Sequence, residues 1–257
     1  MIEVQSLQKS YGDVAAVRGL SFSVAAGEVL GLVGPNGAGK TTTLRSLAGI
    51  IHPTSGRVRI AGHDLREDPV SAKRVLSFIP DEPHLFEHLT VEEHLVFVAR
   101  LYGVPDAERR WLGLLERLEL ADRRKSFPDQ LSRGMKQKLA IACALLHRPR
   151  ALVLDEPLTG LDPAGMRRMK RIIVEQAEDG AAVLLSSHIL QLVEELCDRV
   201  LVIQDGQAVF IGGLEEIVEH RPELEGRGLE DVFLALTERP GEGTGGAAGR
   251  EPLESGR

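Results

Sequence analysis

Between the apolar run VLGLV and the segment TTTLRSLAG lie Gly34, Pro35, Asn36, Gly37, Ala38, Gly39, Lys40, Thr41 and Thr42. The pattern G-x-x-x-x-G-K-T is a phosphate loop when a strand precedes it and a helix follows, as the patterning on both sides predicts here. Its glycines let the backbone turn and point N–H groups at phosphate oxygens. Lys40 can reach the β- and γ-phosphates, and Thr41 can offer its hydroxyl to Mg²⁺. Farther along, RALVLDEP reads as a buried strand that delivers Asp155 and Glu156 at its C-terminal end, where open α/β sheets bind ligands. Asp155 suits the shell of a Mg²⁺ ion. Glu156, immediately beside it, suits a general base that takes a proton from an attacking water, or a group that orients that water. His188 ends another apolar strand, AAVLLSSH, where it can donate to a γ-phosphate or serve as a structural histidine. No N-K-x-D motif for reading guanine is present.

A second anion-binding pattern stands apart from the first. In PDQLSRGMKQKLAIACALL, Ser132 is a natural N-cap for a helix whose apolar positions include Met135, Leu139, Ala142, Cys143 and Leu146. Arg133, Lys136 and Lys138 crowd its first two turns, where the helix dipole favours acids. Free N–H groups, a hydroxyl and three cations together describe a site for an anion.

The elements that must carry these residues fall into an order. Two β-patterned stretches open the chain, IEVQSLQKSYG and LSFSVAAGEVLGLVG, followed by a helix closed by Gly49. SGRVRIAG reads as a hairpin strand and VLSFIP as a short buried one. Residues 88–148 read as helix after helix, including TVEEHLVFVARLYG with Thr90 and Glu93 as a capping box. Strands and helices then alternate, which implies βαβ units and a mainly parallel sheet. A last amphipathic helix is expected over 229–237. The Gly-rich tail 238–257 is too poor in bulky apolar residues to order itself.

Composition narrows the role. The chain has 257 residues and a net charge of −7, which argues against a general nucleic-acid binder. Its 2 cysteines, Cys143 and Cys197, lie in apolar helical patterns and read as reduced thiols of a cytoplasmic protein. No apolar run approaches the ~18 residues of a membrane span, and MIEVQSLQKS has no signal-peptide core.

These motifs in this order resemble the nucleotide-binding subunit of an ABC transporter over residues 2–237. GPNGAGKTT resembles its Walker A, LSRGM its signature (usually LSGGQ), LVLDEP its Walker B, GLD (Gly160–Asp162) its D-loop and SSH its H-loop. The resemblance implies an α/β P-loop NTPase, RecA-like, with an antiparallel β subdomain. Its core would span 2–87 and 149–237, with an inserted helical lobe at 88–148. It further implies ATP with Mg²⁺ and a head-to-tail pair of subunits, a homodimer in the simplest case. In that pair Ser132, Gly134 and Met135 would cap the γ-phosphate held by the other subunit, and the crowded cations would face nucleotide or partner. Tyr11, in KSYGD, resembles the aromatic that stacks on adenine, although alone it reads equally as a hairpin tyrosine.

Three positions depart from the family pattern. Arg133 and Met135 replace Gly and Gln in the signature, as in exporter-type subunits. Asp81, followed by Glu82, stands in FIPDEPHLF where Gln is usual. A carboxylate there can still ligate Mg²⁺ but donates no hydrogen bond. The expected protein is a peripheral ATPase on the cytoplasmic face of a membrane, driving a separate integral permease, most similar to exporters. A soluble ABC ATPase of translation or DNA repair, or a nucleotide-dependent binding module without turnover, are the alternatives.

Overall fold

The computed structural model describes residues 1–213 together with 216, 230, 231, 233 and 234. Two sheets organise it. The smaller one is antiparallel, order β2-β1-β4-β5, from β1 (Ile2–Tyr11), β2 (Val14–Val24), β4 (Ser55–Ile60) and β5 (His63–Asp64). The larger has the order β10-β9-β3-β8-β7-β6, from β3 (Val29–Val33), β6 (Leu76–Ile79), β7 (Ala151–Asp155), β8 (Ala182–Ser186), β9 (Arg199–Gln204) and β10 (Gln207–Gly212). Every pairing from β9 across to β6 is parallel, and only β10 runs antiparallel, as the return arm of a hairpin from β9. The stretch LSFSVAAGEVLGLVG therefore supplies strands to both sheets, with the break at 25–28.

The parallel strands read as continuous apolar runs because both of their faces are covered. Alternate residues divide between two cores. Leu30, Leu32, Val153, Leu184 and Leu201 pack toward the small sheet and α1 (Lys40–Leu47). Val29, Val33, Leu152, Leu154, Leu185 and Val202 join the core that reaches the helical lobe.

That lobe is built from α3 (Val91–Tyr102), α4 (Ala107–Arg117) and α5 (Arg133–Leu145). The capping box holds: Glu93 N–H donates to Thr90 Oγ1 at 3.3 Å and Thr90 N–H to the Glu93 carboxylate at 2.7 Å. A short α2 (Pro69–Arg74) precedes β6; α6 (Pro163–Glu178) and α7 (Leu190–Leu196) complete the chain's helices before β9. Both cysteines are free, and burial pushes each thiol up to about 12, which keeps them protonated and unreactive. Cys197 caps the end of α7 instead of lying within it. Among the described residues no helix is long and apolar enough to cross a membrane. Glu230, Asp231, Phe233 and Leu234 are helical, but most of the helix expected over 229–237, and the whole tail 238–257, lie outside the described residues.

Candidate active site

Parallel strands place their C-terminal ends on one edge of the sheet, and the chemistry gathers there. The phosphate loop leaves β3, Asp155 and Glu156 leave β7, His188 follows β8, and Asp81 follows β6. Two glycines of the loop are dictated by close approach. A Cβ on Gly39, whose φ is +102°, would run into the Ala16 carbonyl, and one on Gly34 would run into that of Ile203. The loop is thus clamped between the two sheets. Its cavity, about 390 Å³, is lined by Ala16, Asn36, Gly37, Lys40, Thr41 and Thr42 on one side and by Asp155 and Glu156 on the other. Lys40 Nζ donates to the carbonyls of Gly34 at 2.6 Å and Pro35 at 3.1 Å. Burial lowers its pKa, and the negative charges of Glu156 and Asp155 oppose that shift.

The two adjacent carboxylates are held differently. Asp155 is buried at the end of β7, and Ser186 Oγ donates to its Oδ1 at 2.7 Å. The same hydroxyl accepts the Glu156 N–H at 3.1 Å. Glu156 adopts φ +49°, left-handed backbone that costs a non-glycine residue about 1–3 kcal/mol unless its surroundings hold it. Ser186 is the holding group. It faces Asp155 in register across β7 and β8. The motif SSH contains it, but sequence reasoning singled out only His188. Ser186→Ala would leave both the Glu156 N–H and an Asp155 oxygen without this partner in a buried setting. The expected loss is about 1–3 kcal/mol of unfolding free energy, read by urea denaturation. Unchanged stability would remove Ser186 from this role.

Glu156 Oε2 lies 2.8 Å from His188 Nδ1. An ionised carboxylate only accepts, so Nδ1 carries the proton in this contact. Desolvation raises the Glu156 pKa above the ordinary glutamate range; the nearby His188 and Lys40 pull it back in part. A carboxylate made more basic by burial is suited to taking a proton from water.

The signature residues stand elsewhere. Ser132 Oγ accepts the Met135 N–H at 3.3 Å, which confirms it as the N-cap of α5 and engages one of the N–H groups expected to meet phosphate. None of Ser132, Gly134 or Met135 lines the phosphate-loop cavity. The expectation that the three cations face nucleotide or partner is corrected for Lys138, whose side chain is largely buried within its own chain. Lys138 pairs with Glu119 at 3.2 Å and Arg133 with Asp81 at 3.4 Å, within the same chain. Lys136 has no acidic partner among the described residues. Asp81, held by Arg133, is likewise absent from the cavity lining. Tyr11 is exposed at the end of β1, with Lys9 Nζ 4.9 Å from its ring centroid, and does not line the cavity either. A larger cavity of about 1110 Å³, between α4, the end of α5 and the loop before β8, contains none of these residues.

Comparison with known proteins agrees with this geometry. A family model described as ABC transporter matches residues 17–159. The chain is 38% identical over 220 residues to the Nod factor export ATP-binding protein I of Burkholderia orbicola (strain AU 1054), covering 85% of this chain and 72% of that protein. A solved ATP binding subunit of an ABC transporter superposes with a TM-score of 0.88 at 38% identity, covering 93% of this chain and 100% of the other. The dimeric structure of MJ0796, a bacterial ABC transporter cassette, superposes with a TM-score of 0.76 at 25% identity, covering 83% and 99%.

Proposed function

This chain belongs to the ABC transporter family as an ATP-binding subunit, and from that premise we propose that it hydrolyses ATP in a head-to-tail dimer to drive a separate membrane permease that exports its substrate. One observation carries the reading. The loop at 34–42 frames a cavity of its own, and no residue of 131–135, the capped start of α5, lines it. A second copy turned head to tail would bring each α5 start onto the nucleotide held by the other.

In such a site the loop's N–H groups and Lys40 hold the phosphates. Thr41 and Asp155 offer hard oxygen ligands on the same cavity, a donor set that fits Mg²⁺, which would neutralise phosphate charge when bound with ATP. Glu156 takes a proton from the attacking water as that water's oxygen bonds to the γ-phosphorus. The bond from the γ-phosphorus to the β,γ-bridging oxygen breaks, and ADP leaves. His188 fixes the Glu156 carboxylate through Nδ1. Ser132, from the partner, adds a donor on the far side. ATP then joins the two subunits, and its hydrolysis releases them.

Support for a permease comes from a groove of about 550 Å³ between the loop after β6 and helices α3 and α5. Its rim exposes Phe86 and Leu101, with Phe97 edge-on to Phe86 at 5.3 Å. Apolar side chains gathered around a groove mark a partner surface more than scattered ones do. Through such a contact the chain would sit on the cytoplasmic face of the membrane. The export direction rests on the likeness to the Nod factor export protein. The chain, tagged and purified from detergent-solubilised native membranes, is expected to bring down a polytopic protein in equimolar amount. That complex in vesicles should hydrolyse ATP faster than the free chain. Recovery of the chain alone, with turnover indifferent to membranes, would remove the permease from the reading.

A further inference from the structure

Two of the positions that depart from the family pattern, Asp81 and Arg133, touch each other. Arg133 is the first residue of α5 in the helical lobe, and Asp81 lies in the loop leaving β6 at the edge of the parallel sheet. Arg133 Nη2 and Asp81 Oδ1 are 3.4 Å apart. Neither residue pairs with any other charged group among the described residues. The stem of Arg133 is occupied as well. Its Cδ and Nε would each lie 3.1 Å from a Cβ placed on Gly160, and a Cβ on Gly134 would lie 3.1 Å from the Gly160 carbonyl oxygen. Gly160 belongs to the loop that begins at Glu156, and a turn closed by Thr159 N–H to the Glu156 carbonyl at 3.1 Å ties the two together. Ile79, two residues before Asp81, and Leu154, two before Glu156, are register partners on β6 and β7.

Arg133 thus spans three segments: its own helix start, the loop after β6 and the loop after β7. We propose that Arg133 and Asp81 are a pair of positioning residues, a charge clamp that fixes the start of α5 relative to the loop bearing Glu156. The two residues work as a unit. An arginine alone at 133 would bring an unbalanced cation beside Gly160, and an aspartate alone at 81 would add an unbalanced acid on an edge already holding Asp155 and Glu156. Together they neutralise each other while joining the lobe to the core. Both side chains are about half exposed, so the attraction is modest, in the range of exposed pairs. Its effect is on alignment: small misplacements of a catalytic surface cost rate more than they cost stability.

The clamp rests on the proposed ATPase, and one experiment separates the two. Steady-state ATP hydrolysis is measured for the unmodified chain, for Arg133→Asp, for Asp81→Arg and for the double charge swap, with melting temperatures checked in parallel. Each single reversal is expected to lower kcat about three- to tenfold. ATP binding to the monomer should stay within about twofold, since neither side chain lines that chain's own phosphate-loop cavity. The swap restores kcat to within about twofold of the unmodified chain, and Arg133→Lys, which keeps the charge, stays near it. A swap as slow as Arg133→Asp alone would show that the cation at 133 acts independently, and the clamp falls. So does it if every variant turns over at the unmodified rate. An Asp81→Asn variant with unchanged kcat but a flatter Mg²⁺ dependence would return Asp81 to the metal and overturn the clamp in another way. No hydrolysis by the unmodified chain would instead overturn the ATPase reading.

Discussion

Glu156→Gln is expected to lower ATP turnover by about 10²–10⁴-fold, the usual cost of losing a positioned general base. The substitution keeps the shape of the side chain and a hydrogen-bonding oxygen opposite His188 Nδ1, now 2.8 Å from the carboxylate. ATP binding should change little, because the groups that hold phosphate lie in the loop at 34–42. With ATP bound and not consumed, the variant should elute as a dimer on size exclusion in ATP and Mg²⁺, while the unmodified chain drifts back to monomer. A pH profile adds an independent reading. Burial raises the Glu156 pKa, so its basic form is lost as pH falls through a value above that of an ordinary glutamate. The acid limb of kcat in the unmodified chain should therefore sit above the ordinary glutamate range, and the residual activity of Glu156→Gln should lack that limb. Turnover at the unmodified rate would remove Glu156 from the mechanism.

The second large effect is complementation between two inactive chains. Ser132→Arg should abolish turnover while leaving ATP binding to the monomer nearly intact, because Ser132 lies outside the phosphate-loop cavity. Lys40→Ala should instead weaken nucleotide binding itself by removing the ammonium on that cavity. Mixed together, the two chains form some dimers with one intact site, the Lys40 loop of the first facing the Ser132 helix of the second. Partial activity should return, and it should rise more than in proportion to chain concentration. If Ser132→Arg loses monomer ATP binding as severely as Lys40→Ala, the head-to-tail model is wrong.

Much of this site is local chemistry, and local chemistry is written along the chain. The phosphate loop needs Gly34, Gly39, Lys40 and Thr41 at fixed offsets between one strand and one helix, so a contiguous stretch specifies it. The same holds for Ser132 as an N-cap, bonded to the Met135 N–H, and for the Thr90–Glu93 capping box. Apolar runs at β3, β7, β8 and β9 announced strands buried on both faces, because no alternation is needed where both faces are covered.

Only the tertiary structure decided which distant residues meet. Ser186 joins Asp155 to the Glu156 backbone across 31 and 30 residues of sequence, through strand register that no single segment encodes. Arg133 and Asp81 are 52 residues apart and looked like two unrelated departures until the helical lobe set α5 over the sheet edge. Lys138, misplaced by the helix-dipole rule, finds Glu119 at 3.2 Å from outside its own helix. In each case the free energy of the contact belongs to a pair. A pair exists only after hydrophobic burial has fixed the relative placement of strands and helices, so its members carry no mark of each other along the chain.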